Sequence, residues 1–76
     1  GLVQNALEEV ICELRDALKV YPRMVSAHEG WAIAYEEVLE LFDEVRKKPG
    51  ARSVNCMRNE AKQCAAMFIR FMVDLT

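Results

Sequence analysis

Several of the devices that usually hold a very small protein together are missing from this chain. It has three cysteines, Cys12, Cys56 and Cys64, an odd number with no pair in C-x-x-C spacing. That pattern argues against a disulfide-stapled secreted domain. It predicts reduced thiols in a cytoplasmic protein, with Cys64 serving as a small core residue. The single histidine, His28, provides no imidazole cluster, and its place near a helix start predicts a solvated or capping role. With only three glycines and two prolines, the chain is neither collagen-like nor low-complexity, and it has no glycine loop to cradle a phosphate. No Ser, Cys or His arrangement suggests nucleophilic catalysis. The longest apolar run, Cys64 to Ile69, has six residues, where a membrane span needs about 20. The first twenty residues form an acidic amphipathic pattern rather than the basic start and apolar centre of a signal peptide. A net charge of −2 speaks against a nucleic acid polymer or a membrane surface as partner.

What the chain does have is helical periodicity and an uneven distribution of charge. At 76 residues it is a single domain. A chain of this length buries only about 60% of the surface its unfolded form exposes, so it depends on very economical packing or on a partner. Residues 29 to 44 hold six acids (Glu29, Glu36, Glu37, Glu40, Asp43, Glu44) and no Lys or Arg. Residues 45 to 58 hold five bases (Arg46, Lys47, Lys48, Arg52, Arg58) and no acid.

Three helices account for the spacing of the apolar residues. In the first, Val3, Leu7, Val10, Leu14, Ala17 and Tyr21 recur at steps of four and three, and Pro22 ends the pattern. The second starts at Ser26, with Glu29 three residues on in capping-box spacing. Its apolar stripe is Trp31, Ala34, Tyr35, Val38, Leu41, Phe42 and Val45, expected to be buried. Arg46, Lys47 and Lys48 are expected in its last turn, before Pro49-Gly50. The third begins at Ser53 or Asn55, with Met57, Ala61, Cys64, Ala65, Phe68, Phe71, Met72 and Leu75 on its main stripe and Ile69 and Val73 on a second strip. A helix so apolar needs more cover than two short neighbours supply. The fold expected is therefore all-α: an antiparallel bundle of about three helices per chain, completed by oligomerisation.

The acids of the second helix sit at the border of its apolar stripe. At about 100° per residue, and with Glu37 at the origin, Glu44 lies near about −20°, Glu40 near about −60° and Glu36 near about −100°, while the stripe centres near about +100°. Glu37, Glu40 and Glu44 thus border the buried face. On the third helix Glu60 borders its own stripe, with Gln63 one turn on. In an antiparallel pair these edges can face each other. The positions four beyond Glu36, Glu37 and Glu40 are Glu40, Leu41 and Glu44, so the i,i+4 bases of a solvated, salt-bridged face are absent. Carboxylates gathered at a buried edge repel one another and resist desolvation. A hard divalent cation relieves both, and Mg²⁺ suits one or two carboxylates together with phosphate oxygens.

These residues carry a family resemblance. Glu36-Glu37-Val38-Leu39-Glu40, followed after nineteen residues by Glu60-Ala61-Lys62-Gln63, resembles the E-E-x-x-E…E-x-x-D signature of the all-α nucleoside triphosphate pyrophosphohydrolase superfamily, the MazG-like proteins. The flanks His28-Glu29-Gly30-Trp31-Ala32, Gln63-Cys64-Ala65-Ala66-Met67 and Arg70-Phe71 are similar to a compact branch of it, so the likeness covers roughly residues 26 to 75 of one domain spanning 1–76. The resemblance implies a helical homodimer or homotetramer that binds Mg²⁺, with Mn²⁺ as a substitute. It also implies cleavage of a nucleoside triphosphate between the α and β phosphates, giving a monophosphate and pyrophosphate. Carried over by position, the metal ligands fall on Glu37, Glu40, Glu60 and Gln63, with Glu37, Glu40 and Glu60 as the catalytic set. Glu36 and Glu44 are expected to support them.

Gln63 departs from the signature Asp, which removes one formal charge. That departure, and a chain shorter than the four or more helices common in the family, keep a second reading open: a non-catalytic helical oligomer that binds a nucleotide or a protein partner. Four further residues are candidates for nucleotide contact. Gly30 leaves room for a base or eases helix packing. Trp31 stacks on a base or, as its stripe position favours, joins the core. Lys48 and Arg58 meet phosphates at the mouth of the site or simply solubilise the helix ends.

Overall fold

The chain is broken where proline and capping residues interrupt the helical period. The computed structural model describes residues 1–76 and contains three α-helices, α1 (Leu2–Val20), α2 (Ala27–Val45) and α3 (Val54–Leu75), a short 3-10 turn at Pro49–Ala51, and no strand. Tyr21 is extended ahead of Pro22, as pre-proline sterics require. Ser26 caps α2, its Oγ accepting from the Glu29 N–H at 3.1 Å. The Glu29 carboxylate accepts in turn from the Val25 N–H at 3.3 Å, one residue before the cap, so the box is offset by one donor. Of the two candidate starts of α3, Ser53 is the cap; its Oγ accepts from the Cys56 N–H at 3.1 Å. The basic trio expected in the last turn of α2 lies beyond it, because the helix ends at Val45 and Arg46 is the C-cap.

Helix α3 is the centre of the molecule, and α1 and α2 each pack on it without meeting each other. α2 and α3 run in opposite directions: Gly30, near the start of α2, faces Phe71 and Leu75 at the end of α3, while the Arg52 Nε donates to the Val45 carbonyl at 2.8 Å at the other end. α1 and α3 run in the same direction, since Glu9 pairs with Arg58 and Glu13 with Lys62. A buried clamp ties the α1–α2 connection to the last turn of α3. There Asp74 accepts from the Met24 N–H at 3.0 Å, Arg23 donates to the Asp74 carbonyl at 2.8 Å, and Arg70 donates to the Pro22 carbonyl at 2.9 Å. No helix is long and apolar enough to cross a membrane.

The core is thin. Its buried apolar residues are Ala17, Met24, Ala34, Cys64, Ala66 and Met67, with no large side chain fully enclosed. Cys64 is in the core, as its pattern position predicted.

The burial of α2 corrects the sequence reading. Its inward line is Gly30, Ile33, Ala34, Glu37, Leu41 and Glu44, whereas Trp31, Tyr35, Val38, Phe42 and Val45 are exposed. Measured from Glu37, the inward line spans about −40° to +60° and the exposed residues about +80° to +160°. The helix is rotated so that the acids, rather than the centre of the apolar stripe, face α3. The physical reason lies in residue size. Gly30 and Ala34 let the two helix backbones come close, and a Cβ added at Gly30 would sit 2.6 Å from Leu75 Cδ1 and 2.8 Å from Phe71 Cδ2. The bulky aromatic stripe permits no such approach.

Candidate metal centre

The rotation of α2 brings its second and third signature acids against the first of α3. One carboxylate oxygen each from Glu37, Glu40 and Glu60 lies within 4.8 Å of the other two. Glu37 and Glu60 are half-buried and Glu40 is exposed, so the cluster is enclosed on its protein side and open on the other. The Oε2 atoms of both Glu37 and Glu60 are buried without any hydrogen-bond partner. None of the ion pairs in the chain involves these three residues. Buried, unpaired carboxylate oxygens are costly. The cost appears as proton affinity. Burial, followed by the charges of Glu40, Glu60 and Glu13, pushes the Glu37 carboxyl up to about 7. Burial and the charges of Glu40 and Glu44 push Glu60 upward too.

Three converging carboxylates, two of them with orphaned oxygens, fit a hard divalent cation, whose preferred ligands are carboxylate oxygens and water. Mg²⁺ and Mn²⁺ both meet that description. Nothing in the arrangement suits covalent catalysis. Cys64, the nearest thiol, is pushed upward by burial and by the charges of Glu37 and Glu60, so it remains protonated.

The remaining candidates divide clearly. Gln63 is half-buried one turn along α3 from Glu60 and lines a groove between α1 and α2 together with Glu37. Glu44 is half-buried, its charge is felt by Glu60, and its carboxylate is 2.9 Å from Lys47 Nζ, which places it beside the cluster. Glu36 is exposed and takes no part in the cluster. Gly30 provides no room for a nucleotide; the Phe71 and Leu75 side chains fill the space in front of it. Trp31 is not a core residue: it is 60% exposed and stacks on Tyr35 with ring centroids 5.8 Å apart. Arg58 does not reach the cluster, because it is paired with Glu9 on the α1 side of α3. Lys48 lies past the end of α2, beyond the Arg46 C-cap. His28 is exposed, as expected.

Sequence reasoning missed two residues of the groove, Glu13 and Arg70. The groove holds about 550 Å³ and runs from Glu37 and Gln63 to Arg70, with Glu13 on its α1 wall. Glu13 lies outside the apolar stripe of α1. Its signal was present, because Val10, Glu13 and Ala17 share one edge of that helix. Arg70 and Asp74 stand at i,i+4 spacing on the apolar side of α3, which marks a buried pair.

Comparison with known protein families, with curated proteins and with solved structures yields no match.

Proposed function

We propose that this chain is a Mg²⁺-dependent nucleoside triphosphate pyrophosphohydrolase of the MazG-like kind, serving nucleotide-pool housekeeping in the cytoplasm. The observation that carries the reading is the convergence of Glu37, Glu40 and Glu60, with two buried carboxylate oxygens left without a partner. It agrees with the ligand positions implied by the sequence resemblance. Glu37, Glu40 and Glu60 would hold the metal, and Gln63 offers a neutral amide oxygen beside them. When bound, the cation neutralises phosphate charge and lowers the pKa of a coordinated water. The residues themselves contribute position and charge. Glu37 and Glu60 are held by the α2–α3 contact, so their oxygens are fixed before substrate arrives. In this reading one of the carboxylates would orient the attacking water, and Glu40, on the open side, is the exposed one. In this reading the groove beyond Gln63, about 550 Å³ in volume, would take the nucleoside.

The working unit in this reading is a helical bundle completed by a second copy of the chain. Trp31, Tyr35, Val38, Phe42 and Val45 form an exposed apolar band on α2, and Phe68, Met72 and Val73 are exposed on α3. Bands of this kind on a small domain mark an interface.

The test is pyrophosphate release from a panel of nucleoside triphosphates with Mg²⁺, compared with Glu40→Gln. Pyrophosphate with a monophosphate, lost by at least about 100-fold in the variant, supports the proposal. Orthophosphate alone, or turnover unchanged in the variant, overturns it. Metal-dependent nucleotide binding without turnover supports the second reading, a non-catalytic oligomer, which Gln63 in the place of an acid favours.

A further inference from the structure

The groove between α1 and α2 is lined by all three helices, so it marks one side of the molecule. Its polar lining includes Glu13 and Asp16 on α1, Glu29 and Glu37 on α2, and Gln63 and Arg70 on α3. With Ala17, Glu37 and Glu60 as origins on their own helices, all of these positions fall between about −100° and about 0°. Positive angles therefore mark the reverse side of each helix. On α1, Leu7, Leu18 and Ile11 stand there, between about +80° and about +120°, and all three are exposed. On α3, Phe68 and Met72 stand at about +80° and about +120° and are exposed too. The exposed aromatic band of α2 occupies about +80° to about +160°, on the same side.

Charge divides the same way. No Asp, Glu, Lys, Arg or His of the three helices falls between about +60° and about +140°. Of the ten acids of α1 and α2, seven fall between about −40° and about −120°. The molecule has an acidic side, which holds the groove, and an uncharged apolar side, to which α1 contributes as much as α2.

The apolar side calls for a second layer. Stable domains pack at least two layers of secondary structure around a core. Here α1 and α2 flank α3 without meeting each other, and no large side chain is fully enclosed. The molecule measures 40 × 29 × 19 Å, so its broad side exceeds the roughly 800 Å² that each partner buries in a standard interface. Lipid is a poor occupant, because interfacial helices ring their apolar face with Lys and Arg, whereas the charge here is acidic and on the far side. A partner of different sequence is selected by charges at the contact, and this side has none to read. A second copy needs none, since across a two-fold axis the same apolar surface meets itself.

We propose that the apolar sides of α1, α2 and α3 together seat the same side of a second copy, two chains back to back, with both acidic grooves facing outward and no groove residue supplied by the partner. The inference deepens the second-copy part of the functional reading by bringing in α1, and it needs neither the metal nor the reaction.

The test is sedimentation of wild type, Ile11→Glu and Leu18→Glu over a range of concentrations, with helical circular dichroism recorded on the same samples. Wild type is expected to sediment as two chains. Each α1 variant is expected to raise the dissociation constant of the pair by at least about 30-fold and to keep its helical signal. Glu36→Lys, a charge reversal on the acidic side, is expected to leave the pair intact. Wild type sedimenting as one chain at every concentration, or as more than two, overturns the pairing. A pair kept by both α1 variants but lost in Phe42→Glu overturns the place of α1 and leaves contact through α2 standing. Dispersal only with loss of the helical signal in both variants overturns it as well, and so does wild type carried down with phosphatidylcholine vesicles. None of these results bears on pyrophosphate release, which is read separately.

Discussion

The two faces of α2 invert the usual order of a small helical domain. The face turned to α3 carries Glu37 and Glu44 among Gly30, Ile33, Ala34 and Leu41, while the face turned away carries Trp31, Tyr35, Val38 and Phe42. A self-sufficient domain would do the reverse, since each buried apolar side chain contributes about 1.5–3 kcal/mol and each buried, unpaired carboxylate costs more than it returns. The inversion is coherent when both faces await something outside the chain. In the proposed reading a cation would relieve the acidic face and a second copy of the chain the aromatic one. Small residues decide which face goes inward, because Gly30 and Ala34 give the closest approach.

The comparison breaks most readily at the outer face. Phe42→Glu places a charge in the exposed band and is expected to turn the proposed oligomer into single chains. The association free energy should fall by about 2–4 kcal/mol, read by sedimentation over a range of concentrations; an unchanged mass would show that the band is not the interface. The inner face is probed next. Gly30→Val puts a branched side chain against Phe71 and Leu75 and is expected to cost about 1–3 kcal/mol in urea unfolding. Gly50→Ala, with open space around it, serves as the control.

A smaller effect sharpens the electrostatic half. The Glu37 carboxyl is raised to about 7 from the usual 4.5, so the folded chain holds that proton more tightly than the unfolded one. Its contribution to stability is fully present below about 4.5 and is lost as pH rises through about 7. The metal-free protein should therefore lose stability between pH 5 and pH 7.5. Glu37→Gln should flatten that slope and gain on the order of 1 kcal/mol at pH 7.5, about 4–8 °C in Tm for a domain of this size. Mg²⁺ should stabilise wild type and not the variant. The smallest effect is expected from Arg58→Gln. Breaking its exposed pair with Glu9 should change stability little, because solvent screens the pair, and leave turnover unchanged, in keeping with its place away from the cluster.

Much of this molecule was legible in residue order, and what was illegible has a common cause. The three helices, the Ser26 and Ser53 caps and the Pro22 break are local events, decided within a few residues by dihedral preference and side-chain hydrogen bonds. Glu37, Glu40 and Glu60 could be selected because their helical angles and the antiparallel α2–α3 pairing suffice to bring them together. The burial of Trp31 was misjudged because periodicity finds an apolar stripe but not the surface that covers it. Gly30 was ambiguous because its role depends on Phe71 and Leu75, some forty residues away. Glu13 was missed because its place beside Val10 and Ala17 marks an edge of α1 but not the groove that this edge lines.

By itself, then, the sequence determined the helices, their ends and the three acids at the edge of the α2–α3 contact. Backbone preference and 3.6-residue periodicity act locally and need no partner. Only the tertiary structure decided the rotation of α2 about its axis. That rotation depends on how closely two backbones approach, which is set by small residues of one helix meeting large ones of another. It turned most of a stripe expected in the core outward, turned Glu37 and Glu44 inward, and left the groove lined by Glu13, Glu37 and Gln63.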